Sequence, residues 1–356
     1  MSKSNADRPD VTIVVTARDR FSLAVRSLEN LVAVTPAHAR LIYIDAGSPA
    51  SVASEVKRIC SENGFRYERF EHFLSPCQAR NRGHHLADTK YVAYIENDVM
   101  ASQGWLEALV KCAEETGAEV VQPLICQGMP LHTEIHQAGG DFTDDMDAFF
   151  NGPPEARRLT DRHLNHQGKR VDEVELSRTE TQVCEVHCFL ARRDLFERFG
   201  DFDENMPCSK DHVDFSVTIW AKGGKIMLEP ASIVTFCHPD RTHPVEPMDR
   251  PMFILRWSPN WQRKSLNHFR KKWGLESDPY FERYEKLTSW RYHDAVVRPM
   301  VRKLPMIGHS YKVQKMASTI MLPVISAIGT HLGKKQAAQT ADWDSHQGQT
   351  SPSATR

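Results

Sequence analysis

Glu96 and Asp98 are spaced so that two carboxylates can act on one ligand. They end the run Tyr91-Val92-Ala93-Tyr94-Ile95-Glu96-Asn97-Asp98-Val99, whose five uncharged residues predict a strand buried inside a sheet. An acidic tip at the carboxyl end of such a strand sits where open α/β sheets bind ligands. Two carboxylates there can share a divalent cation, or one can hold the cation while the other takes a ribose hydroxyl. No GxGxxG follows the first strand and no GxxxxGK[ST] occurs, which disfavours a dinucleotide site and a P-loop. Phosphates in an acidic crevice need a cation between. Arg80 and Arg82, early in a helix, add fixed positive charge. Cys184-Glu185-Val186-His187-Cys188 has the residue types of a zinc site, but alternation along a strand sends its ligands to opposite faces, which argues against one.

The elements that must position these groups alternate from Val11. Val11–Ala17 and Leu41–Ile44 read as strands. A helix lies between them, on Phe21, Ala24, Val25, Leu28, Leu31 and Val32. A helix after Pro49 stops at Gly64, residues 65–70 return to strand, and Ser75-Pro76 opens a helix through Leu86. Trp105–Thr116 reads as a helix, Ala118–Leu124, Val183–Ala191, Lys225–Leu228 and Ser232–Cys237 as strands, and Ile135–Gly140 as a glycine-ended turn. Such alternation predicts a largely parallel sheet covered by helices. The tips at Thr16 and Arg18, Asp45, and Glu96-Asn97-Asp98 should then converge on one crevice.

Bulk properties bound the rest. The 356 residues suffice for one large α/β domain plus an accessory segment, and 40% hydrophobic with 26% charged residues is a globular composition. A formal net charge of −1 gives no overall pull toward nucleic acid or membrane. Residues 1–10 are polar and read as a flexible tail without a secretory h-region. Eight scattered cysteines fit reduced thiols and a cytoplasmic setting. No uninterrupted apolar run of about 20 residues is present. Residues 141–180 are polar and irregular, as specificity-bearing insertions are.

Six motifs in order carry a resemblance: the first strand with Thr16, Asp45-Ala46-Gly47-Ser48, Ala79-Arg80-Asn81-Arg82-Gly83, Glu96-Asn97-Asp98, Gly200-Asp201-Phe202-Asp203-Glu204, and Asp211-His212-Val213-Asp214. Over roughly Val11 to His238 the chain resembles the family 2 glycosyltransferases. That resemblance implies a GT-A fold over residues 11–250, a mostly parallel mixed sheet flanked by helices. It also implies inverting transfer of a sugar from a nucleotide-sugar donor to a hydroxyl of a glycan or lipid-linked acceptor, with Mn²⁺ or Mg²⁺. By the same resemblance Asp45 meets the base or ribose, Thr16 and Arg18 line that pocket, and Arg80 lies near the nucleotide. Asp98 ligates the metal, Glu96 holds the ribose or a metal-bound water, and His238 completes the metal site.

The chain departs from the family where an acidic pair is usual, having Asp211-His212. The resemblance implies a general base here, and both side chains are capable of it; Asp211 is the expected base, with His212 as its orienter or as the base itself. A nucleotidyltransferase lacks support, since its glycine- and lysine-rich signature is absent after the first strand; an inactive GT-A scaffold is the other alternative. Residues 255–315 hold fourteen Lys/Arg against five Asp/Glu among many aromatics. A helical extension over 251–333 therefore reads as a peripheral membrane dock, a nucleic-acid binder, or a lid packed on the catalytic domain. No nucleic-acid partner beyond the donor nucleotide is expected. Residues 334–356, polar and rich in Gln, Ser and Thr, read as disordered.

Overall fold

The computed structural model describes residues 10–350 apart from 38, 143–144, 154–156, 158, 160–161, 240–242 and 276–278. The flexible tail expected at 1–10 lies, but for Asp10, outside the described residues. Four parallel strands form the first half of the sheet: β1 (Val11–Thr16), β2 (Arg40–Ala46), β3 (Arg66–Phe70) and β4 (Tyr91–Glu96). Between them run α1 (Ala24–Val34), α2 (Ala50–Glu62) and α3 (Pro76–His84). Ser75 caps α3 as expected: its hydroxyl accepts from Gln78 N while the Gln78 side chain accepts from Ser75 N. Every residue of β1 and β4 is buried, as strands covered on both faces must be.

The chain then turns through β5 (Val99–Ala101), α4 (Trp105–Thr116), β6 (Val120–Gln127), β7 (Glu134–Gln137), β8 (Gly140–Phe142), α5 (Met146–Asn151), β9 (Arg162–Leu164) and β10 (Thr179–Glu180). It continues through β11 (Cys188–Arg192), α6 (Asp194–Phe199), α7 (Asp211–Ala221) and β12 (Ile226–Phe236). The strand order is β10-β12-β6-β11-β4-β1-β2-β3, with β5 on β12 and β7 on β6. β11 runs antiparallel to both β4 and β6, while β6 and β12 are parallel. The expected mostly parallel mixed sheet is therefore present.

Two local readings differ from the structure. The segments 225–228 and 232–237 are one strand, β12, with a register shift between Glu229 and Ile233, where Pro230 interrupts the ladder. The glycine-ended turn at 135–140 is mostly strand, β7, because its backbone pairs with β6.

The C-terminal extension is helical: α8 (Arg250–Arg256), α9 (Pro259–Trp273), α10 (Pro279–Tyr292), α11 (Arg298–Val301) and α12 (Tyr311–Thr350), with a π-helical turn at His293–Val297 joining α10 to α11. The disorder expected from residue 334 is corrected by α12, which runs on to Thr350. Lys, Gln and Ala from 334 to 339 are good helix formers, and the end is anchored, with Gln336 donating to the Gln78 side chain and Trp343 packed on Phe70 at 5.1 Å. Tyr311–Trp343 is long and apolar enough to cross a membrane by length and composition alone.

Candidate functional site

β1 and β4 are in register so that Thr16 lies beside Glu96, and Asn97 N donates to Thr16 O just beyond. β11 enters antiparallel on the other side of β4, so Glu96 N donates to His187 O and the His187 side chain meets the acidic tip. From below, α3 delivers Arg80. It lies close because Gly83 faces Val14, where an added Cβ would fall 2.2 Å from Val14 Cγ1. α7 begins with Asp211-His212 after Lys210, whose φ of +69° turns the chain sharply into the helix.

These elements assemble one buried charge network with Glu96 at its centre. Arg80 donates from Nη2 to Glu96 Oε1 at 3.1 Å and from Nη1 to Asp211 Oδ2 at 3.0 Å. Nδ1 of His187 lies 2.6 Å from Glu96 Oε2, and Arg18 Nη1 lies 3.0 Å from His187 Nε2 and 3.8 Å from Glu96. A proton on Nδ1 satisfies both contacts, with Nε2 accepting from Arg18. Burial works against ionisation of Glu96, yet His187, Arg18 and Arg80 together hold its carboxyl below the usual range. Asp211 is held well below that range against the cost of burial, by His212, Arg256 and Arg80. Its other oxygen lies 3.4 Å from His212 Nδ1.

A cavity of about 590 Å³ opens over this network. Its floor holds Arg18, His187, Asp211, His212 and His238, and its roof is the turn of chain from Trp290 to Arg302. Burial pushes His136, also in the floor, down to about 3 and keeps the imidazole neutral. Arg291 stacks on Trp257 at 3.8 Å, and Arg298 pairs with Asp294 at 2.9 Å. Among the described residues neither Arg291 nor Arg302 has a carboxylate partner, so the roof carries net positive charge.

Of the residues expected from sequence, Arg18, Asp211, His212 and His238 line this cavity, and Arg80 and Glu96 brace it from beneath. Thr16, Asp45 and Asp98 do not line it. Asp45 accepts from Ser48 N and Oγ, both at 2.9 Å, from Arg69 Nη1 at 2.7 Å and from the Tyr67 hydroxyl. Asp98 accepts from Arg20 Nη2 at 2.9 Å, and Arg20 also donates to the carbonyl of Cys237. The second oxygen of Asp98 is buried and has no hydrogen-bond partner among the described residues. Burial accordingly pushes its carboxyl up to about 6, against the pull of Arg20.

The orphaned carboxylate oxygen of Asp98 and the imidazole of His238 are oxygen and nitrogen donors of the kinds a borderline-hard divalent cation takes. Among the described residues the one preassembled cluster of three ligand atoms is elsewhere, at His84, His85 and Asp201.

Arg20, Glu185 and His187 were not found from sequence, while the roof falls in the 251–333 extension, for which a lid on the catalytic domain was one of the readings. Glu185 and His187 left a signal, two polar residues at period two in an apolar run, and both face the cavity.

Comparisons with known proteins follow this geometry. The chain is 23% identical to the pre-mycofactocin glycosyltransferase of Mycobacterium tuberculosis over 237 residues, 66% of this chain and 44% of that protein. It thus spans less than half the length of that relative. Among solved structures, GalNAc-T7 with UDP, GalNAc and Mn²⁺ aligns at a TM-score of 0.49 and 16% identity, covering 80% of this chain and 57% of that one. The mannosyltransferase PcManGT from Pyrobaculum calidifontis in complex with GDP-Man and Mn²⁺ aligns at 0.46 and 15%, covering 95% and 88%. The glycosyl transferase family 2 profile matches residues 12–200, more than half the chain and all of the sheet through β11. By that match, the chain belongs to glycosyl transferase family 2.

Proposed function

We propose that the protein transfers a sugar from a nucleotide-diphosphate donor to a hydroxyl of a glycan or lipid-linked acceptor, with inversion and with a divalent metal. The observation that carries this reading is the chain Arg80–Asp211–His212 on the cavity wall, in the same cavity as Arg18 and His238. Inverting displacement needs a base opposite the leaving diphosphate. Asp211, braced by Arg80 and held strongly acidic, is a weak base but a good orienter. It fixes His212 so that the imidazole takes the proton of the acceptor hydroxyl.

On the donor side Arg18 is held charged by Glu96, Asp19 and Glu185 despite burial. It and Arg291 and Arg302, which have no carboxylate partner among the described residues, offer positive charge to the phosphates. Asp98 and His238 would hold Mn²⁺ or Mg²⁺, which when bound neutralises the departing diphosphate. Asp45, Thr16 and Glu96 would frame the nucleoside.

Turnover of a panel of UDP-, GDP-, dTDP- and CDP-sugars, with Mn²⁺ or with EDTA, tests the proposal, and the anomeric configuration of the product by NMR tests inversion. A binding module without turnover is the second reading, favoured by the engagement of Asp45 and Asp98 with arginines of the same chain. Metal-dependent nucleotide binding with no transfer to any acceptor would establish it. Release of pyrophosphate from a nucleoside triphosphate and a sugar phosphate would instead mark a nucleotidyltransferase.

A further inference from the structure

We infer that the outer face of α12, with the loop that feeds it, is a docking surface for an anionic lipid bilayer on which the helix lies in plane. One side of α12 is committed to the protein from Gln314 to Trp343. Ile325 is buried, Gly329 packs against Ile254 O, Ser258 and Tyr292, and Gly333 lies beside Trp261. Gln336 and Trp343 fasten the far end to α3 and β3. A helix held in this way by the rest of the chain does not cross a bilayer, whatever its composition.

Among the described residues the opposite side has no such partner. Met316, Ile320, Val324 and Ile328 recur every four residues and are exposed, Ile320 at 66%. This gives one apolar stripe three turns long. The preceding loop adds Leu304, Met306 and Ile307, with Met306 fully exposed at 100%. Large side chains aligned in this way on a water-facing surface mark a surface that meets something apolar.

Charge identifies the occupant. No Asp or Glu occurs between Asp294 and Asp342, whereas that interval holds Arg298, Arg302, Lys303, Lys312, Lys315, Lys334 and Lys335. Lys312 and Lys315 precede the apolar stripe, Lys334 and Lys335 follow it, and all four are exposed. An apolar band with lysines at both ends and no acid is the pattern of a helix lying in the headgroup region of an anionic leaflet. A protein partner would be expected to meet acids as well as bases on the surface it recognises.

The inference stands apart from the glycosyltransferase reading, because lipid binding is measured without a sugar. The full chain is sedimented with vesicles of phosphatidylcholine alone and of phosphatidylcholine with phosphatidylglycerol, at low and high salt. Binding to the anionic vesicles only, weakened by salt, is expected. Lys312→Gln and Lys315→Gln should each weaken it about fivefold, and Ile320→Ser with Val324→Ser should remove most of it.

Since the native cysteines are all buried, a dye on Met306→Cys provides a second readout. Its emission should shift to the blue on anionic vesicles. Equal sedimentation of wild type and variants, no binding at low salt, or resistance of the bound protein to alkaline carbonate would each overturn the inference. So would a dimer in solution that the Ile320→Ser, Val324→Ser double variant dissolves, since a second copy would then be the occupant.

Discussion

Arg80 ties Glu96 to Asp211 with one guanidinium that is itself only 1% exposed. The acidic tip of β4 and the start of α7 are therefore one electrostatic unit, although they are far apart in sequence. Arg80→Ala should leave two buried carboxylates without their cation and cost about 3–5 kcal/mol, measured by urea denaturation. Arg80→Lys keeps the charge but cannot fork to both oxygens, and should fall between the two.

His212→Ala should lower kcat about 10²- to 10⁴-fold while leaving nucleotide affinity unchanged in calorimetry. Asp211→Asn should lower kcat as well and also lower stability, because Arg80 then loses a carboxylate partner. If His212→Ala turns over at the wild-type rate, Asp211 is the base.

Asp98→Asn tests the metal end. Nucleoside diphosphate binding in the wild type should depend on Mn²⁺ and vanish with EDTA, and in the variant the Mn²⁺ dependence should disappear. Asparagine keeps an acceptor for Arg20, so a change in affinity reports the lost charge. Binding that is equal in both proteins with and without metal removes Asp98 from the donor site.

His84 makes the fold sensitive to acid. Burial, with His85 beside it, pushes its pKa down to about 4 from 6.5, and its ring stacks on Phe196. The unfolded state therefore binds the proton that the folded state refuses. Stability contributed here is complete above about pH 6.5 and is lost as the pH falls toward 4, by roughly 3 kcal/mol. The difference in Tm between wild type and His84→Gln should shrink across that window. A difference that does not change with pH rejects this account.

Gly83→Ala sets two effects against each other. Helix propensity favours alanine by about 1 kcal/mol, but the new methyl would meet Val14 at 2.2 Å. Overpacking should win, with a net loss of roughly 1–3 kcal/mol in chemical denaturation. A more stable variant would mean that α3 can move off β1.

What was legible in the sequence was local. Apolar runs located β1, β2, β4 and β6, and Ser75-Pro76 marked the start of α3. The acids at strand tips could be placed because side-by-side strands leave their ends together. What stayed hidden depends on pairing between distant segments. His187 meets Glu96 only because β11 runs antiparallel beside β4, a register that no local pattern specifies. Arg20 lay in plain view in Arg18-Asp19-Arg20, but its selection of Asp98 depends on the return of β12, whose end supplies the Cys237 carbonyl. The tail after residue 334 misled because composition sees polarity and misses anchors such as Trp343.

The cavity's floor lies in the sheet and the start of α7, while its roof, Trp290 to Arg302, comes from chain well beyond the matched residues 12–200. On the proposed reading, the acceptor-activating pair Asp211 and His212 and the arginines of the roof thus come from separate stretches of one chain. A graft exchanging residues 290–302 between two such proteins would replace the roof and its arginines and leave Asp211, His212 and Arg256 where they stand.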